Sequence, residues 1–388
     1  MSVSAQASKS RHVGMIACME HSPWGGCEWL WTETAFELLN RGVKVSIVTK
    51  EWEETPEIHQ KLKAAGATFI TFSPDREAHW LIRRVMKWGI QFSRTRAKSV
   101  EWLKSRCPDI VLISQASNWD GVDWMNRCLE SGIPYATLSH SASEYFWPNE
   151  SQLRKMREGV NGAIHHYYVS DANKQLSEKQ IAASISPASI VRNPVRVSRT
   201  KIIEWPLILE EVRLAFPARY ELHDKGQYLL LEVLAMEKWR SRALSISLYG
   251  AGPHQKIIEE LVHFYRLTSV KIVGYEKDVE KIWAAHHGLI LTSRVEGLPI
   301  SIVEAMLCGR VCLVTDAGGN KELIEEGVTG WVAPFYSVAS IDEMLEKMWA
   351  KRKLLSEMGV EAREQVLKKI PERPESEFAD DLMRMSGK

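Results

Sequence analysis

The chain has 388 residues, enough for two or three domains of ordinary size, each with its own hydrophobic core. Its 45% hydrophobic and 26% charged residues exclude an intrinsically disordered or collagen-like protein. The 50 basic and 49 acidic residues leave a formal net charge of +1, so no global field attracts nucleic acid, which is not an expected partner.

The first half of the chain alternates short apolar runs with longer amphipathic segments. The first run, residues 13–19, ends at Glu20 and His21 without a small-residue cleavage site, which favours a buried strand over a signal peptide. The runs predicted as strands are HVGMIACM, VKVSIVTK, ATFITF, DIVLIS, YATLSH and HHYYVS. Apolar strands separated by helices are typical of a covered parallel sheet, so residues 1–195 are predicted to form an N-terminal Rossmann-like domain.

The same alternation resumes after a proline-containing passage at residues 192–194. The second set of predicted strands is ALSISLYG, VKIVGY, HGLILTS, RVCLVTD and GWVAPF. They predict a second Rossmann-like domain over residues 196–370. In residues 371–388, the spacing of Phe378, Leu382 and Met385 predicts a helix that packs back on the first domain.

The predicted fold class is therefore α/β, with two Rossmann-like domains that face an inter-domain cleft. Open α/β sheets bind ligands at the carboxyl ends of their strands, so candidate residues are expected in the loops that follow strands. No stretch of the sequence reaches the ~18 uninterrupted apolar residues of a transmembrane helix.

Two glycines, Gly25 and Gly26, lie between the first strand and the first helix. Glycines at such a turn let backbone amides approach a phosphate or a sugar closely. The passage lacks the third glycine and the acidic residue of a dinucleotide fingerprint, so it gives little support to a nicotinamide enzyme. A plain tight turn explains the two glycines equally well.

A basic, aromatic segment occupies residues 76–106. Basic side chains far outnumber Glu77 and Glu101 there, and they are interleaved with Trp80, Trp88, Phe92 and Trp102. This composition suits contact with an anionic bilayer or a lipid-linked acceptor. The alternative is a helix that buries its tryptophans and exposes its cations.

Two cations, Arg219 and Lys225, lie six residues apart in a predicted loop at the start of the second half. Long cationic side chains in one loop can converge on a diphosphate leaving group, which gains negative charge as its bond to a sugar breaks. A solvated basic loop is the alternative.

Two carboxylates follow the strand HGLILTS. Glu296 lies in a loop rich in glycine and proline, and Glu304 is predicted in the first turns of the next helix. A loop carboxylate beside free backbone N–H groups at a helix N-terminus suits binding of sugar hydroxyls and a phosphate together. Alternatively, Glu304 only complements the helix dipole and Glu296 is solvated.

In combination, these motifs resemble retaining glycosyltransferases of family 4 (group 1), which have the GT-B fold. The resemblance rests on Gly25-Gly26, on Arg219 with Lys225-Gly226, on EGLPISIVEAM and on TDAGGNKELIEEGVTGWV. It extends over most of the chain and is strongest over residues 249–334. It implies an enzyme of polysaccharide biosynthesis that transfers a hexose-type sugar from a nucleotide diphosphate sugar to a glycan or lipid-linked acceptor. It also implies that residues 1–195 form the acceptor-side domain and that residues 196–370 bind the nucleotide sugar donor.

The resemblance also implies roles for individual residues. Arg219 and Lys225 would bind the donor diphosphate, and Glu304 would hold the ribose. The residues that would meet the transferred sugar are Glu296, Gly297, Leu298 and Pro299.

His140, in IPYATLSHSAS, matches a family histidine close to the reacting sugar. An imidazole at that place can stabilise charge or position the sugar. A histidine that merely packs at a strand end is the alternative. The chain departs from the family at Ser114-Gln115, where many relatives carry another histidine.

No cofactor and no metal are expected. The sequence has no Asp-x-Asp triplet, and the adjacent pairs His165-His166 and His286-His287 cannot point the same way from a strand. Arg219 and Lys225 would substitute for a divalent ion.

The six cysteines are scattered without a C-x-x-C pair, which predicts a reducing cytoplasmic location and no disulfide framework. Cys308 and Cys312 are predicted as small core residues. Peripheral association with the inner face of the membrane depends on the basic segment.

Two other functions are compatible with these residues. One is a GT-B nucleotide-sugar epimerase or phosphorylase. The other is a catalytically silent subunit that only binds a sugar nucleotide.

Overall fold

The computed structural model describes residues 11–20, 22–73, 94–206 and 211–386. These residues form two parallel β-sheets, each covered by helices, which confirms the predicted α/β class. Among the described residues, no helix combines the length and apolarity that crossing a bilayer requires.

The first sheet has seven parallel strands. They are β1 (His12–Ala17), β2 (Lys44–Lys50), β3 (Thr68–Phe72), β4 (Ile110–Gln115), β5 (Tyr135–Ser139), β6 (His165–Tyr168) and β7 (Ala188–Ile190). Their order is β3-β2-β1-β4-β5-β6-β7. Every residue of β1 and β4 is buried, as expected for central strands covered on both faces.

The helices of this domain begin with α1, directly after the Gly25-Gly26 loop. They are α1 (Glu28–Asn40), α2 (Glu57–Ala64), α3 (Arg94–Ser105), α4 (Val122–Glu130), α5 (Glu150–Gly162) and α6 (Asp171–Ile181). The start of α5 is set by a capping box, in which the Asn149 side chain accepts from Gln152 N at 3.0 Å and Gln152 Oε1 accepts from Asn149 N at 2.9 Å.

The second sheet has six parallel strands. They are β8 (Val212–Pro217), β9 (Leu244–Tyr249), β10 (Val270–Gly274), β11 (Gly288–Leu291), β12 (Val311–Thr315) and β13 (Gly330–Ala333). Their order is β10-β9-β8-β11-β12-β13, so β8 and β11 are central and carry the candidate loops at their carboxyl ends.

Most of the remaining helices cover this second sheet. They are α7 (Leu222–Lys225), α8 (Gln227–Leu234), α9 (Glu237–Arg240), α10 (Gln255–Phe264), α11 (Val279–Ala285), α12 (Ile300–Leu307), α13 (Val338–Ala350), α14 (Leu355–Lys369) and α15 (Pro374–Met385). Cys308 and Cys312 are buried in the core of this domain.

The chain crosses between the domains twice. The first crossing is the connection after β7, and the second leads from α14 to α15. Arg199, in the connection, ties the two together, because its guanidinium donates to the carbonyls of Leu367, Ile370 and Pro371 at 3.1 to 3.3 Å.

After the second crossing, α15 packs on α1 of the first domain. The ring of Phe378 is buried and meets Tyr167 edge to face, with ring centroids 4.7 Å apart. Arg41, directly after α1, forms an ion pair with Asp380. The C-terminal helix α15 therefore contributes to the core of the first domain.

The structure describes only the end of the basic segment, as α3 and its final turn. Arg96 forms an ion pair with Glu20, and Trp102 packs, partly buried, against the core. The guanidinium of Arg106 lies 5.0 Å from the centroid of that ring. Residues 76–93 lie outside the described residues, so membrane contact by the segment stays a prediction.

Candidate active site

Lys225 and Glu296 form the centre of the candidate site. The ammonium Nζ of Lys225 lies 2.7 Å from Oε1 of Glu296 and 3.4 Å from the carbonyl oxygen of Val295. Both side chains are largely removed from solvent. Glu296 is therefore not the solvated loop carboxylate of the alternative interpretation, and it is paired with a cation from the neighbouring loop.

The backbone around Gly226 positions this pair. Lys225 ends the short helix α7, rather than lying in an open loop, and Gly226 follows it with a φ of 62°. A Cβ at Gly226 would overlap the carbonyl oxygen of Thr292, whose hydroxyl donates to Gly226 O at 2.9 Å. Only glycine fits this contact, which locks the turn after α7 against the end of β11.

Arg219 follows β8 on the same side of the sheet and is exposed. Its carbonyl accepts from Gln227 Nε2 at 2.7 Å. Its charge reaches Cys27, at the start of α1, where burial raises the pKa of the thiol well above its usual value and Arg219 opposes that rise.

Gly25 and Gly26 lie in the loop opposite. The carbonyl of Gly25 accepts from Glu28 N at 3.0 Å and so begins α1. A Cβ at Gly26 would lie 3.6 Å from Cδ1 of Ile300, the first residue of α12. The predicted glycine loop therefore meets the helix that follows Glu296.

His140 follows β5 and is 6% exposed. Its Nε2 lies 3.3 Å from the hydroxyl of Ser114, and its Nδ1 is buried without a hydrogen-bond partner in the described part of the chain. Burial lowers the pKa of His140 to about 3, so the imidazole is neutral at physiological pH. A Cβ at Gly297 would overlap the carbonyl oxygen of His140, so the loop that carries Glu296 touches the end of β5.

Glu304 lies apart from this group, on α12. Its carboxylate is 1% exposed and is paired with Arg196, whose Nε lies 3.0 Å from Oε1. Sequence reasoning missed Arg196, because it lies in a polar connection and its partner is 108 residues away.

Sequence reasoning also missed Glu28, a carboxyl group with a shifted pKa. It is the first residue of α1, follows the glycine loop directly and is buried. Burial raises its pKa to about 7. Its position at the start of a helix is visible in the sequence, but its burial depends on packing that no local pattern shows.

The histidine pairs have structural partners. His166 is hydrogen-bonded to Thr137 Oγ1 at 2.8 Å, and Nδ1 of His286 to the carbonyl of Ile282 at 2.7 Å. Nδ1 of His287 accepts from the backbone of Arg213 at 2.9 Å.

Comparison with known families identifies the second half of the chain. The sequence model of the family described as glycosyl transferases group 1 matches residues 199–365. Residues 199–365 belong to that family. The group 1 domain thus contains Arg219, Lys225, Glu296 and Glu304, whereas His140 and the glycine loop precede it.

Curated relatives of the chain include bacterial glycosyltransferases. The chain is 26% identical over 269 residues to lipopolysaccharide 1,6-galactosyltransferase of Salmonella typhimurium, covering 64% of this chain and 68% of that protein. It is 24% identical over 322 residues to the Escherichia coli enzyme of the same description, covering 77% and 83%. A further match, to EpsD of Bacillus subtilis, is 25% identical over 168 residues and spans 44% of that protein.

Solved structures share the whole architecture. Anabaena Alr3699/HepE in complex with UDP superposes with a TM-score of 0.73 at 16% identity, covering 96% of this chain and 99% of that chain. A glycosyltransferase from Rickettsia africae has a TM-score of 0.76 at 15% identity, covering 98% and 100%. These likenesses confirm the predicted GT-B fold around the group 1 domain. The roles of the individual site residues stay predictions.

Proposed function

We propose that the chain transfers a hexose-type sugar from a nucleotide diphosphate sugar to a glycan or lipid-linked acceptor, with retention of anomeric configuration. The observation that carries this proposal is the buried Lys225–Glu296 pair, 2.7 Å apart, beside the contact of Gly297 with His140. The loop that carries the Lys225–Glu296 pair thus contacts the backbone of His140, whose imidazole is neutral.

A uridine nucleotide is the first donor to test. The Anabaena protein was crystallised with UDP and with UDP-glucose, and two relatives are named galactosyltransferases. In the proposed complex, Lys225 and Arg219 contact the diphosphate and supply the positive charge that a metal ion supplies in other transferases. Glu296, released from Lys225, accepts hydrogen bonds from sugar hydroxyls.

In the proposed reaction the bond between the anomeric carbon and the diphosphate oxygen breaks, and its electron pair leaves with the diphosphate. The acceptor oxygen bonds to the anomeric carbon from the same face, and its proton passes to the departing phosphate. Lys225 and Arg219 lower the barrier because the leaving group gains charge at that moment. His140 acts as a neutral group that positions the sugar.

The proposed class of acceptor is inferred from the names of two relatives. The two named galactosyltransferases act in lipopolysaccharide synthesis, so a growing glycan on a lipid is the first acceptor class to test. Association of residues 76–106 with an anionic bilayer remains part of this proposal.

The test starts with a thermal-shift screen of nucleoside diphosphates and their sugars, because a ligand of the folded state raises the unfolding temperature. The donor found is then incubated with lipopolysaccharide core acceptors, and the product linkage is read by NMR. Transfer with an unchanged anomeric configuration is expected.

Other results point to the alternative functions. A donor that changes its sugar without acceptor identifies an epimerase, and release of a sugar phosphate on adding inorganic phosphate identifies a phosphorylase. Donor binding without transfer or slow hydrolysis identifies a silent binding subunit.

A further inference from the structure

Two aromatic side chains are exposed on the loop of residues 140–149, between β5 and α5. The ring of Tyr145 is 56% exposed and the indole of Trp147 is 60% exposed. Phe146, between them, is partly buried and packs against an apolar cluster contributed by α5, β6 and α6. The loop therefore presents two rings to solvent and uses the ring between them as an anchor.

A buried amide, Gln180, fixes the backbone of this loop. Its Nε2 donates to the carbonyls of Ser143 at 2.8 Å and Phe146 at 2.7 Å. Its Oε1 accepts from Asn118 Nδ2 at 2.7 Å and from Trp119 Nε1 at 2.6 Å, both in the loop after β4. Gln180 thus uses both of its N–H donors and both acceptor positions, which holds the loops after β4 and β5 in one arrangement.

The two exposed rings are also held individually. Tyr145 stacks on His223 of α7, with ring planes 13° from parallel, and its hydroxyl accepts from Arg294 Nη1 at 3.5 Å. Trp147 Nε1 donates to the carbonyl of Glu144 at 3.1 Å. Because both side chains are exposed and already fixed, a ligand that packs on them orders little additional side chain.

The charge of the loop indicates which ligand these rings suit. Residues 140–153 contain two glutamates and no lysine or arginine. Arg294, which contacts Tyr145, is shared with the hydroxyl of Tyr228. Anionic bilayers and phosphate groups bind to clusters of lysine and arginine, so this loop favours neither. The face of an aromatic ring is negative, and the C–H groups of a hexose are slightly positive, so a neutral sugar ring packs well on it.

We propose that Tyr145 and Trp147 form a platform on which the sugar rings of a neutral glycan acceptor stack. The inference rests on the proposed function, because it places the acceptor of that reaction at the rim of the cleft. The loop begins at His140, so a glycan on the platform lies on the first-domain side of the proposed transfer site. The platform recognises sugar rings, and it does not recognise a lipid or a phosphate carried by the same acceptor.

The binding test uses the core oligosaccharide of lipopolysaccharide after removal of its lipid and phosphate groups. Its dissociation constant is measured without donor by saturation-transfer NMR. For Trp147→Ala we expect about tenfold weaker binding, and for Tyr145→Ala about fivefold, because a stacking surface is lost. Trp147→Phe keeps a ring and should recover most of the affinity. An oligosaccharide that retains its phosphates should bind no more tightly than the dephosphorylated one.

Two controls separate the platform from a general effect on the protein. Phe264→Ala removes a ring that is 74% exposed on α10 of the second domain, and it should bind the oligosaccharide like the wild type. Trp147→Ala should bind UDP like the wild type in calorimetry. In transfer assays, Trp147→Ala should raise the acceptor KM by about tenfold and leave kcat near the wild-type value.

Equal oligosaccharide affinity in the wild type, Trp147→Ala and Tyr145→Ala would overturn the platform, as would a wild-type protein that binds no oligosaccharide. Loss of binding to anionic vesicles in Trp147→Ala, with unchanged oligosaccharide binding, would assign the ring to a bilayer instead. The binding test contains no donor, so it is independent of transfer. A protein that binds the oligosaccharide through these rings but transfers no sugar would contradict the proposed function and not the platform.

Discussion

Lys225 and Glu296 neutralise each other in the free protein at 2.7 Å. In the proposed complex, the diphosphate is a second, more highly charged partner for Lys225, so the lysine exchanges the carboxylate for the phosphate. The two side chains compensate each other in a partly desolvated place, where an unpaired charge would be strongly disfavoured.

Replacing Lys225 tests this exchange. Lys225→Ala should weaken donor binding and lower turnover together by at least about tenfold, because a charge-assisted bond is lost and Glu296 is left buried without its cation. Steady-state kinetics and calorimetry with the donor measure both effects.

The matched control is Lys238→Ala. Lys238 lies on α9, outside the loops that follow the strands, and its Nζ is 2.7 Å from Oδ2 of Asp342. Its side chain is more exposed than that of Lys225. Wild-type kinetics are expected, because such surface pairs contribute little. Equal kinetics for Lys225→Ala and Lys238→Ala would contradict the proposed contact of Lys225 with the donor.

Glu28 makes stability depend on pH. Burial raises its pKa from 4.5 to about 7, so the folded state holds a proton that the unfolded state has already released. The contribution of protonated Glu28 to the free energy of unfolding is fully present below the pKa that Glu28 has in the unfolded state. It is lost as pH rises through the pKa that Glu28 has in the folded state. Glu28→Gln cannot ionise, so its stability relative to the wild type should increase from about pH 5 to about pH 8, approaching about 3 kcal/mol.

Urea unfolding at several pH values measures this difference. Glu364→Gln, at an exposed position on α14, is the control and should follow the wild type at each pH. A constant difference between Glu28→Gln and the wild type across this range would show that Glu28 ionises normally in the folded protein.

Residue types and short spacings identified Arg219, Lys225, Glu296 and Glu304 as candidates, but not their partners. Lys225 and Glu296 are 71 residues apart, and their pairing depends on β8 and β11 being neighbours in the sheet. Arg196 is one of several arginines in the connection. Its ion pair is set by how the two domains meet, which no local pattern contains.

At the scale of the elements, the stability of the first domain depends on packing of the C-terminal helix α15. Its buried face carries Phe378, Ala379 and Leu382, and it fills the groove over α1. The ring of Phe378 packs against Tyr167 of β6, so the helix reaches the sheet itself.

Phe378→Ala should therefore destabilise the first domain by about 3 to 5 kcal/mol, the usual range for removing a buried phenylalanine. Donor affinity should change much less, because the donor loops belong to the second sheet. Phe264→Ala, at a ring that is 74% exposed on α10, is the control and should stay within about 0.5 kcal/mol of the wild type. Chemical denaturation followed by tryptophan fluorescence measures both variants, and equal stabilities would contradict the assigned packing of α15.

The apolar runs predicted β1 to β6 and β9 to β13, because buried parallel strands are nearly continuous in hydrophobic residues. β8 was missed, since Arg213 interrupts its apolar run and the segment reads as part of a polar passage. β7 has only three residues, too few for any period to show. Both strands are recognisable only from their neighbours in the sheets.

At the scale of the whole molecule, the two domains meet around the candidate site. Gly297 touches the backbone of His140 deep in the cleft. At the rim, Tyr145 of the first domain stacks on His223 of α7, with ring centroids 5.1 Å apart. Glu322 of the second domain accepts from Ala172 N at 3.1 Å, at the start of α6. If the chain has the proposed substrates, a nucleotide sugar and a glycan, these contacts must separate and re-form to admit them.

Gly297→Ala should keep the domains apart, because its Cβ would overlap the carbonyl oxygen of His140. We expect turnover to fall by about 100-fold, since small displacements of reacting groups have effects of this size, with a smaller change in UDP affinity. Small-angle scattering should show a larger radius of gyration. Tyr145→Ala removes the stack on His223 and the contact of its hydroxyl with Arg294, and it should give a milder loss. Wild-type turnover and size for Gly297→Ala would contradict close approach at this point.

The packing of α15 on α1 also sets the order in which a ribosome can complete the two domains. Every residue of the second sheet leaves the exit tunnel before Phe378 does, so the second sheet can form while the first domain still lacks its last helix. At ~5 to 20 residues per second, translation from the connection to α15 takes on the order of 10 to 40 s. During that time the groove over α1 presents apolar surface to chaperones and proteases, and a nascent chain that stops before Pro374 keeps it exposed.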